Sequence, residues 1–186
     1  MRDTSQITVK EALLLHLKES ELPLNGGYED KWTPLKFGFL TFYLYNSKSR
    51  KEAVKLHDIH HIVTEYKSDP CGEAEISAWE LAAGIHNKYF AGFIGLAALF
   101  YGAFLYPKRT FRAFIRGKHS HSLYNREFSE SLLKQSVGSL KNDVLPKTKP
   151  HIKLSYILHY LLLVGLACIP ALVLIFSIYL LVVNYA

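Results

Sequence analysis

The sequence predicts an all-α fold, a helical domain followed by a C-terminal transmembrane helix. Apolar residues recur at helical spacing along most of the chain, and no stretch shows a convincing strand alternation. The 22 Lys and Arg and the 16 Asp and Glu all lie between Arg2 and Lys153, so the chain ends in an uncharged segment. Because 49% of the 186 residues are hydrophobic, the charged part has enough apolar side chains to build a core.

Local signals place each helix of the charged part. The capping box Thr8-x-x-Glu11 opens a short helix that ends near Lys18. Thr33 followed by Pro34 is typical of a helix start, since proline is preorganised for the first turn. Ser49 is the predicted cap of the helix that follows. The predicted helices after the first one cover residues 34–45, 50–66, 73–87 and 128–140.

A second apolar stretch, residues 89–106, carries no charge and contains three glycines. Its length is at the lower limit for a membrane span. We expect a buried helix that lines an apolar channel, with a second span as the alternative. Five basic residues follow directly and either bind lipid headgroups or form a solvated helix face: Lys108, Arg109, Arg112, Arg116 and Lys118.

The uncharged C-terminal segment predicts a membrane anchor. Its apolar run extends from Leu154 to Val183, and about 20 apolar residues suffice to cross a bilayer. Pro170 is expected to kink this helix without ending it. Lys147, Lys149 and Lys153 precede the run, so the positive-inside rule predicts a single-pass protein with its N-terminal domain in the cytoplasm.

Several classes of protein are excluded by composition. Cys71 lies in a polar turn and Cys168 in the apolar C-terminal segment, so a disulfide between them is not expected, and the chain has no CxxC pair. These observations exclude a disulfide scaffold and a cysteine zinc finger. The net charge of +6 is too diffuse to indicate nucleic acid as a partner. The N-terminus does not have the pattern of a secretory signal.

The segment HDIHH contains the candidate metal ligands. On a helix His57 and His61 are one turn apart, a separation that lets two imidazoles share one metal ion. Asp58 flanks the pair as a third ligand or as an orienting acceptor. On the helix His60 lies about 60° from His57, on the side away from His61, and is expected at the surface.

A carboxylate from the next helix can complete the set. Glu73 follows His61 after eleven residues, directly after a DPCG turn, and the resulting nitrogen and oxygen ligands suit zinc, iron or another divalent ion. Glu65 is a rival ligand, because it lies one turn after His61 on the same face. We expect Glu75 and Glu80 to be solvated.

These residues resemble the signature of a known family. His57-Asp58-x-x-His61-x11-Glu73 is similar to the HDxxH-x11-E signature of the Coq-four family of ubiquinone (coenzyme Q) biosynthesis proteins. Gly72 before the glutamate and the step from Arg116 to Gly117 also resemble that family. The resemblance covers roughly Trp32 to Leu145.

The resemblance implies an all-α fold with an apolar channel for an isoprenoid chain and a divalent metal, with zinc as the first candidate. The metal would be held by His57, Asp58, His61 and Glu73, and Arg116 would bind the substrate. The implied activity is a lyase-type one, oxidative decarboxylation of the aromatic head of a prenylated quinone precursor. The implied partners are membrane lipid and other quinone-biosynthesis enzymes, at the mitochondrial inner membrane if the protein is eukaryotic.

The expected organisation therefore has four parts: an N-terminal helix and loop, a helical metal-binding domain, a linker and the transmembrane tail, at residues 1–31, 32–145, 146–153 and 154–186. Two alternatives stay open for the function. One is a non-catalytic lipid-binding scaffold that gathers pathway enzymes. The other is a di-iron hydroxylase or desaturase, because His57-x-x-His60-His61 also fits an HxxHH box. A homodimer is a further candidate assembly.

Overall fold

The computed structural model describes residues 4–20, 26–37 and 40–185. The chain is mostly helical, as the sequence predicts, with one two-stranded sheet among the described residues. The elements in chain order are α1 (Val9–Glu19), β1 (Trp32–Phe37), β2 (Leu40–Tyr45), α2 (Lys48–Thr64), α3 (Pro70–Ala83), α4 (Tyr89–Leu105), α5 (Pro107–Gly117), α6 (Glu130–Leu133), α7 (Val137–Val144) and α8 (Leu154–Tyr185).

Helix α1 begins with the predicted capping box. The backbone N–H of Glu11 donates to Thr8 Oγ1 at 3.2 Å, and the Glu11 carboxylate accepts from the Thr8 backbone N–H at 2.8 Å. The helix buries Val9, Leu13 and Leu17 in the same core as α2 and α7. The N-terminal helix is therefore packed into the helical domain. Part of the loop expected after it, residues 21–25, lies outside the described residues.

The helix predicted for residues 34–45 is wrong, because this segment is an antiparallel hairpin. Trp32 pairs with Tyr45 at its open end, and their rings meet edge-to-face at 5.6 Å. The segment is rich in Thr, Tyr and Phe, which fit a pleated strand better than a helix. Pro34 is tolerated because a two-stranded sheet has only edge strands. Residues 38 and 39, at the turn, lie outside the described residues.

Helices α2 and α3 are where the sequence predicts them, with shifted ends. Ser47 rather than Ser49 caps α2 through the backbone N–H of Arg50. Helix α2 ends at Thr64, and the C-cap residue Glu65 has a φ of 64°, in the left-handed region. Asp69 caps α3, which ends at Ala83, four residues earlier than predicted.

Helices α4 and α5 pack closely on α3. A Cβ at Gly102 would lie 2.5 Å from the Ala74 Cβ, and a Cβ at Gly117 would lie 2.4 Å from the Trp79 carbonyl oxygen. Only glycine allows these two approaches. Helix α3 is thus held between α4 and α5, which fixes the side chains that it presents to α2.

The single helix predicted for residues 128–140 is also wrong, because the chain forms two short helices, α6 and α7. Ser129 caps α6 and Ser136 caps α7, each by accepting a backbone N–H three residues later. A second serine cap in mid-segment ends the first helix and starts another. The apolar spacing persists across the break, since Leu132, Leu133 and Val137 are all buried.

Helix α8 is long and apolar enough to span a membrane. Its apolar part, Leu154–Val183, has 30 residues and a mean hydropathy of 2.8, and only 6% of its most apolar window is buried against the protein. Pro170 lies inside the helix. The first turns pack on α5, where the ring of Tyr160 contacts those of Phe111 and Phe114, each at 5.2 Å between centroids. An aromatic contact therefore helps to join α8 to the helical domain.

Candidate metal centre

Three of the predicted ligands come together between α2 and α3. The ligand atoms of His57, His61 and Glu73 all lie within 4.8 Å of one another. His57 and His61 occupy successive turns of α2, and Glu73 is in the first turn of α3. In the described part of the chain, His57, His61 and Glu73 form a group of side chains that could hold a metal ion.

The tight connection from α2 to α3 brings Glu73 to the histidines. Glu65 in the left-handed region turns the chain back, and the loop then passes directly beneath the start of α3. A Cβ at Gly72 would lie 1.9 Å from the carbonyl oxygen of Lys67, so a larger residue has no room here. The glycine before Glu73 is therefore a requirement of this close approach.

Both histidines hold their Nδ1 proton in a hydrogen bond. Nδ1 of His57 lies 2.9 Å from Glu80 Oε1, and Nδ1 of His61 lies 2.9 Å from the backbone carbonyl oxygen of Tyr66. These oxygens can only accept, so Nδ1 is the donor in each ring. Each ring therefore presents Nε2 toward Glu73, with a lone pair when the ring is neutral. This is the tautomer that a metal-binding histidine needs.

The distances between the ligand atoms fit a single small cation. The two Nε2 atoms are 3.2 Å apart, and the Glu73 carboxylate oxygens lie 3.2 Å from Nε2 of His61 and 3.5 Å from Nε2 of His57. Ligand atoms 2.0–2.2 Å from a tetrahedral zinc ion are separated by about 3.3–3.6 Å. Two lone pairs at the observed distance repel each other unless a proton or a metal ion lies between them. The donor set thus fits a divalent metal.

Glu80 is the residue that sequence reasoning missed. It is buried at 2% exposure, not solvated as predicted, and its Oε1 accepts from His57, His60 and the Tyr124 hydroxyl at 2.9, 2.7 and 2.8 Å. Glu80 follows Glu73 by two helical turns, so the two carboxylates share one face of α3. That seven-residue spacing is the signal that could have identified it.

The histidines and the two carboxylates shift one another's pKa values. Burial alone would raise the pKa of Glu80, but the charge of His57 and hydrogen bonds from His57 and His60 lower it below its usual value. Burial likewise opposes ionisation of Glu73, yet hydrogen bonds from the two ligand histidines lower its pKa. Burial would lower the pKa of His57, while Glu80 and Glu73 raise it well above its usual value. Both carboxylates are therefore ionised and attract a cation to the site.

His60 is not at the surface, which corrects the prediction. It is fully buried, with Nδ1 donating to Glu80 and Nε2 accepting the backbone N–H of Leu123 at 2.8 Å. Its ring also meets those of Trp79 and Tyr124 edge-on at 5.1 and 4.9 Å. With both nitrogens engaged, His60 has no lone pair for a metal. It links the metal centre to the core.

Asp58 lies next to the centre and has a different partner. Its carboxylate accepts a hydrogen bond from the Tyr28 hydroxyl, and the side chain is buried. Burial raises the pKa of Asp58, while the charge of the neighbouring His57 lowers it in part. The group of converging ligand atoms does not include Asp58. Its predicted role as a ligand or orienting acceptor remains a prediction.

Arg116 and the other predicted carboxylates lie away from the three ligands. Arg116 Nη1 donates to the Thr64 carbonyl oxygen at 2.8 Å, and its guanidinium covers the Tyr66 ring at 5.3 Å. Arg116 thereby holds the end of α2 and the following Tyr66, whose carbonyl accepts from His61. Glu65 forms an ion pair with Lys141. Glu75 is buried and pairs with Arg109 at 2.7 Å, not solvated as predicted.

His16 of α1 is another neighbour that the sequence did not indicate. Its ring stacks on that of His61 with 5.2 Å between centroids and 22° between planes. Burial, together with the charges of His61 and His57, lowers the pKa of His16 to about 4. A neutral ring at physiological pH therefore covers one side of His61.

A cavity of about 600 Å³ opens beside two of the three candidate ligands, His57 and Glu73. His57, Glu73 and Glu80 form part of its wall, and Tyr124 lies beside them. Helix α4 supplies most of the apolar wall, with Phe90, Ala91, Ile94, Gly95, Ala97, Ala98, Tyr101 and Leu105. Since these residues extend from the first to the last turn of α4, the cavity follows the whole helix. Arg116 is not among the residues that line it.

No protein-family model, curated protein or solved structure matches the chain. The interpretation of its function therefore depends on the geometry of the metal centre, the cavity and the sequence signature.

Proposed function

We propose that the protein is a membrane-anchored metal protein of ubiquinone biosynthesis that acts on a prenylated quinone precursor. The observation that carries this proposal is the convergence of two histidine Nε2 atoms and one carboxylate at a site whose His57 and Glu73 also line a largely apolar cavity. A metal centre and a lipid site that share a wall are what chemistry on a lipid-borne head group requires. The proposed reaction is the oxidative decarboxylation implied by the family signature: the bond from ring to carboxyl group breaks and CO2 leaves, a hydroxyl from water takes its place, and O2 accepts the two electrons and two protons to give hydrogen peroxide.

The donor set supports a metal that takes part in a reaction. His57, His61 and Glu73 supply three ligands, as in catalytic zinc sites, which keep a further position for water or substrate. Zinc is the first candidate, and iron is the alternative because both accept imidazole and carboxylate. When bound, the metal supplies a Lewis acid for the phenolate of the substrate. Glu80 holds the proton on His57 Nδ1, and the Tyr66 carbonyl does so for His61.

The cavity supports a ligand with an apolar chain. Its volume of about 600 Å³ is in the usual range for small-molecule sites. The wall from α4 offers apolar side chains for an isoprenoid chain, while the acidic side chains of the wall, Glu73 and Glu80, lie at the metal centre. The aromatic head would therefore lie at the metal centre and the chain along α4.

The anchor supports the same assignment. A prenyl chain is effectively insoluble in water, so its enzyme gains from being fixed at the bilayer. Helix α8 supplies such an anchor, and the lysines before it favour a cytoplasmic domain. Helix α4 packs on α8, which brings the cavity wall next to the anchor. In a eukaryotic cell the corresponding membrane would be the mitochondrial inner membrane.

The test uses the full chain, loaded with metal, in detergent or vesicles. A short-chain prenylated hydroxybenzoic acid is added under air, and mass spectrometry follows binding and the replacement of the carboxyl group by hydroxyl. We expect binding and conversion by the wild type, and loss of conversion in Glu73→Gln.

A second pair of variants tests the cavity. Ala98→Trp fills it from α4 and should abolish binding of the acid while metal content stays unchanged. Phe93→Trp, on the exposed side of the same helix, should change neither. Metal-loaded wild-type protein that neither binds nor converts the acid would overturn the proposal.

A further inference from the structure

Arg50 lies in the same cavity at some distance from the metal centre. It occupies the first turn of α2 and lines the cavity together with Ala53, Val54 and His57. Seven residues separate Arg50 from His57, which is two helical turns, so both lie on one face about 10.5 Å apart along the axis. The guanidinium lies over the Phe90 ring at 5.3 Å, at the start of α4.

Arg50 is a buried cation without an acidic partner among the described residues. Its exposure is 8%, and arginine is almost never fully buried unless it is paired. Nη1 donates to two neutral oxygens, Thr33 Oγ1 at 3.0 Å and Asn46 Oδ1 at 2.8 Å. Nε is buried and has no acceptor in the described part of the chain. An unsatisfied buried guanidinium N–H costs free energy that an anion would recover.

The surroundings of Arg50 are also positive. The first turn of α2 contains no acidic side chain, and the N-terminus of a helix carries a partial positive charge. The nearest acid along the helix, Glu52, pairs with Lys88 at 2.7 Å. Glu73 and Glu80, the other charged residues of the cavity wall, are engaged by histidines. This end of the cavity thus lacks a counter-charge of its own.

We infer that Arg50 recognises an acidic group on the cavity ligand, a carboxylate or a phosphate carried on an apolar chain. The planar guanidinium fork suits the oxygens of either anion. The apolar wall beyond Phe90 accommodates the chain. The acidic group would lie at the Arg50 end, the rest of the head beside the metal centre, and the chain toward Leu105. The inference rests on the proposed function only in taking the cavity as the lipid site.

The test compares three ligands that share one chain: palmitate, hexadecyl phosphate and hexadecanol. Native mass spectrometry of the full chain in detergent gives the bound fraction of each. We expect the wild type to bind at least one of the two acids tenfold or more tighter than the alcohol, about 1.4 kcal/mol. Which acid binds tighter separates a carboxylate ligand from a phosphate ligand. Equal binding of all three by the wild type would overturn the inference without any variant.

Two variants test the residue. Arg50→Met should reduce the preference to twofold or less, and Arg50→Lys, which keeps the charge but loses the fork, should retain part of it. Arg116→Met is the matched control, because the sequence alone suggested Arg116 for this task. Loss of the preference in Arg116→Met and not in Arg50→Met would overturn the inference. If Arg50→Met does not fold, the preference in Arg50→Lys decides, since full retention there contradicts recognition by the fork.

A last comparison separates Arg50 from the metal. Glu73→Gln should lose metal but keep the preference for the acids, since Arg50 remains. If the preference disappears with the metal, the acid binds at the metal centre and the role of Arg50 is refuted, while the proposed function stands. If no ligand of any class binds, the cavity is not a lipid site and the proposed function fails as well.

Discussion

The two faces of α2 carry histidines with different hydrogen bonding. On the face toward α3, from which His57 also lines the cavity, His57 and His61 each donate from Nδ1 and direct Nε2 at the Glu73 carboxylate. On the core face, His60 uses both ring nitrogens, one with Glu80 and one with the Leu123 N–H. The three residues are all histidines, so residue type alone does not distinguish them. The number of ring nitrogens left to a ligand separates a metal-binding histidine from a structural one.

Glu80 connects the two faces, since its Oε1 accepts from a histidine on each of them. Orientation of a metal ligand and integrity of the core therefore depend on one carboxylate. Substitutions on the core face should act on stability, and substitutions on the cavity face should act on metal binding. The following experiments test that division, beginning with the largest expected effect.

His60→Leu should destabilise the protein most. It leaves the Leu123 N–H without an acceptor and removes one donor to Glu80 in a fully buried place. We expect a loss of about 3–5 kcal/mol in the free energy of unfolding. Chemical denaturation in detergent, followed by circular dichroism, measures it. The control is the exposed His121→Leu, which should stay within about 0.5 kcal/mol of the wild type. Equal stability of both variants would show that His60 has no structural role.

Gly72→Ala should disturb the connection that places Glu73. The added Cβ would lie 1.9 Å from the Lys67 carbonyl oxygen, so the start of α3 must move. We expect a loss of about 2–4 kcal/mol in stability and a clear fall in metal affinity. Gly92→Ala is the control, because its Cβ meets only the Ile85 side chain at 3.4 Å. A metal affinity equal to wild type in Gly72→Ala would contradict this account of the connection.

Metal affinity should fall as the pH is lowered. Glu80 and Glu73 raise the pKa of His57 above its usual value in the metal-free protein, so at neutral pH a proton occupies the nitrogen that the metal needs. Metal must displace this proton, and each unit of pH below the raised pKa weakens binding about tenfold. Glu73, whose pKa is lowered, stays ionised in this range and adds no slope. Competition with a chelator between pH 8 and pH 6 measures the effect. A pH-independent affinity would be inconsistent with a protonated His57.

Arg116→Gln should have the smallest effect, on metal affinity alone. Arg116 holds the Thr64 carbonyl and covers the Tyr66 ring, and the Tyr66 carbonyl fixes the tautomer of His61. Loss of such an outer partner weakens metal binding about 10- to 100-fold. The matched control is Arg126→Gln, which breaks the exposed pair with Asp143. If metal affinity is unchanged in Arg116→Gln, Arg116 does not position His61.

The sequence predicted much of the site because its spacing is helical. One turn between His57 and His61, and a turn-forming loop before Glu73, were sufficient to bring the three together. The start of α1 was likewise predicted from its capping box, and α8 from the length of its apolar run. Each of these signals is local.

The parts that could not be predicted depend on partners distant in sequence. Glu80 was expected in solvent because its partners, His57, His60 and Tyr124, come from other elements. The sequence around Arg50 does not indicate that it is buried. The side chains that hold it belong to Thr33, in the hairpin, and to Asn46, directly after it. That hairpin itself was missed, because Thr33-Pro34 fits a helix start as well as an edge strand.

The central claim is that His57, His61 and Glu73 hold one divalent metal ion. Elemental mass spectrometry of the full chain, purified in detergent, tests it most directly on the wild type, His57→Ala, His61→Ala and the exposed His121→Ala. We predict about one metal per chain in the wild type and in His121→Ala, and less than about a tenth of that in the other two. A wild type that carries no metal and takes up none on titration with zinc or ferrous iron would contradict the account.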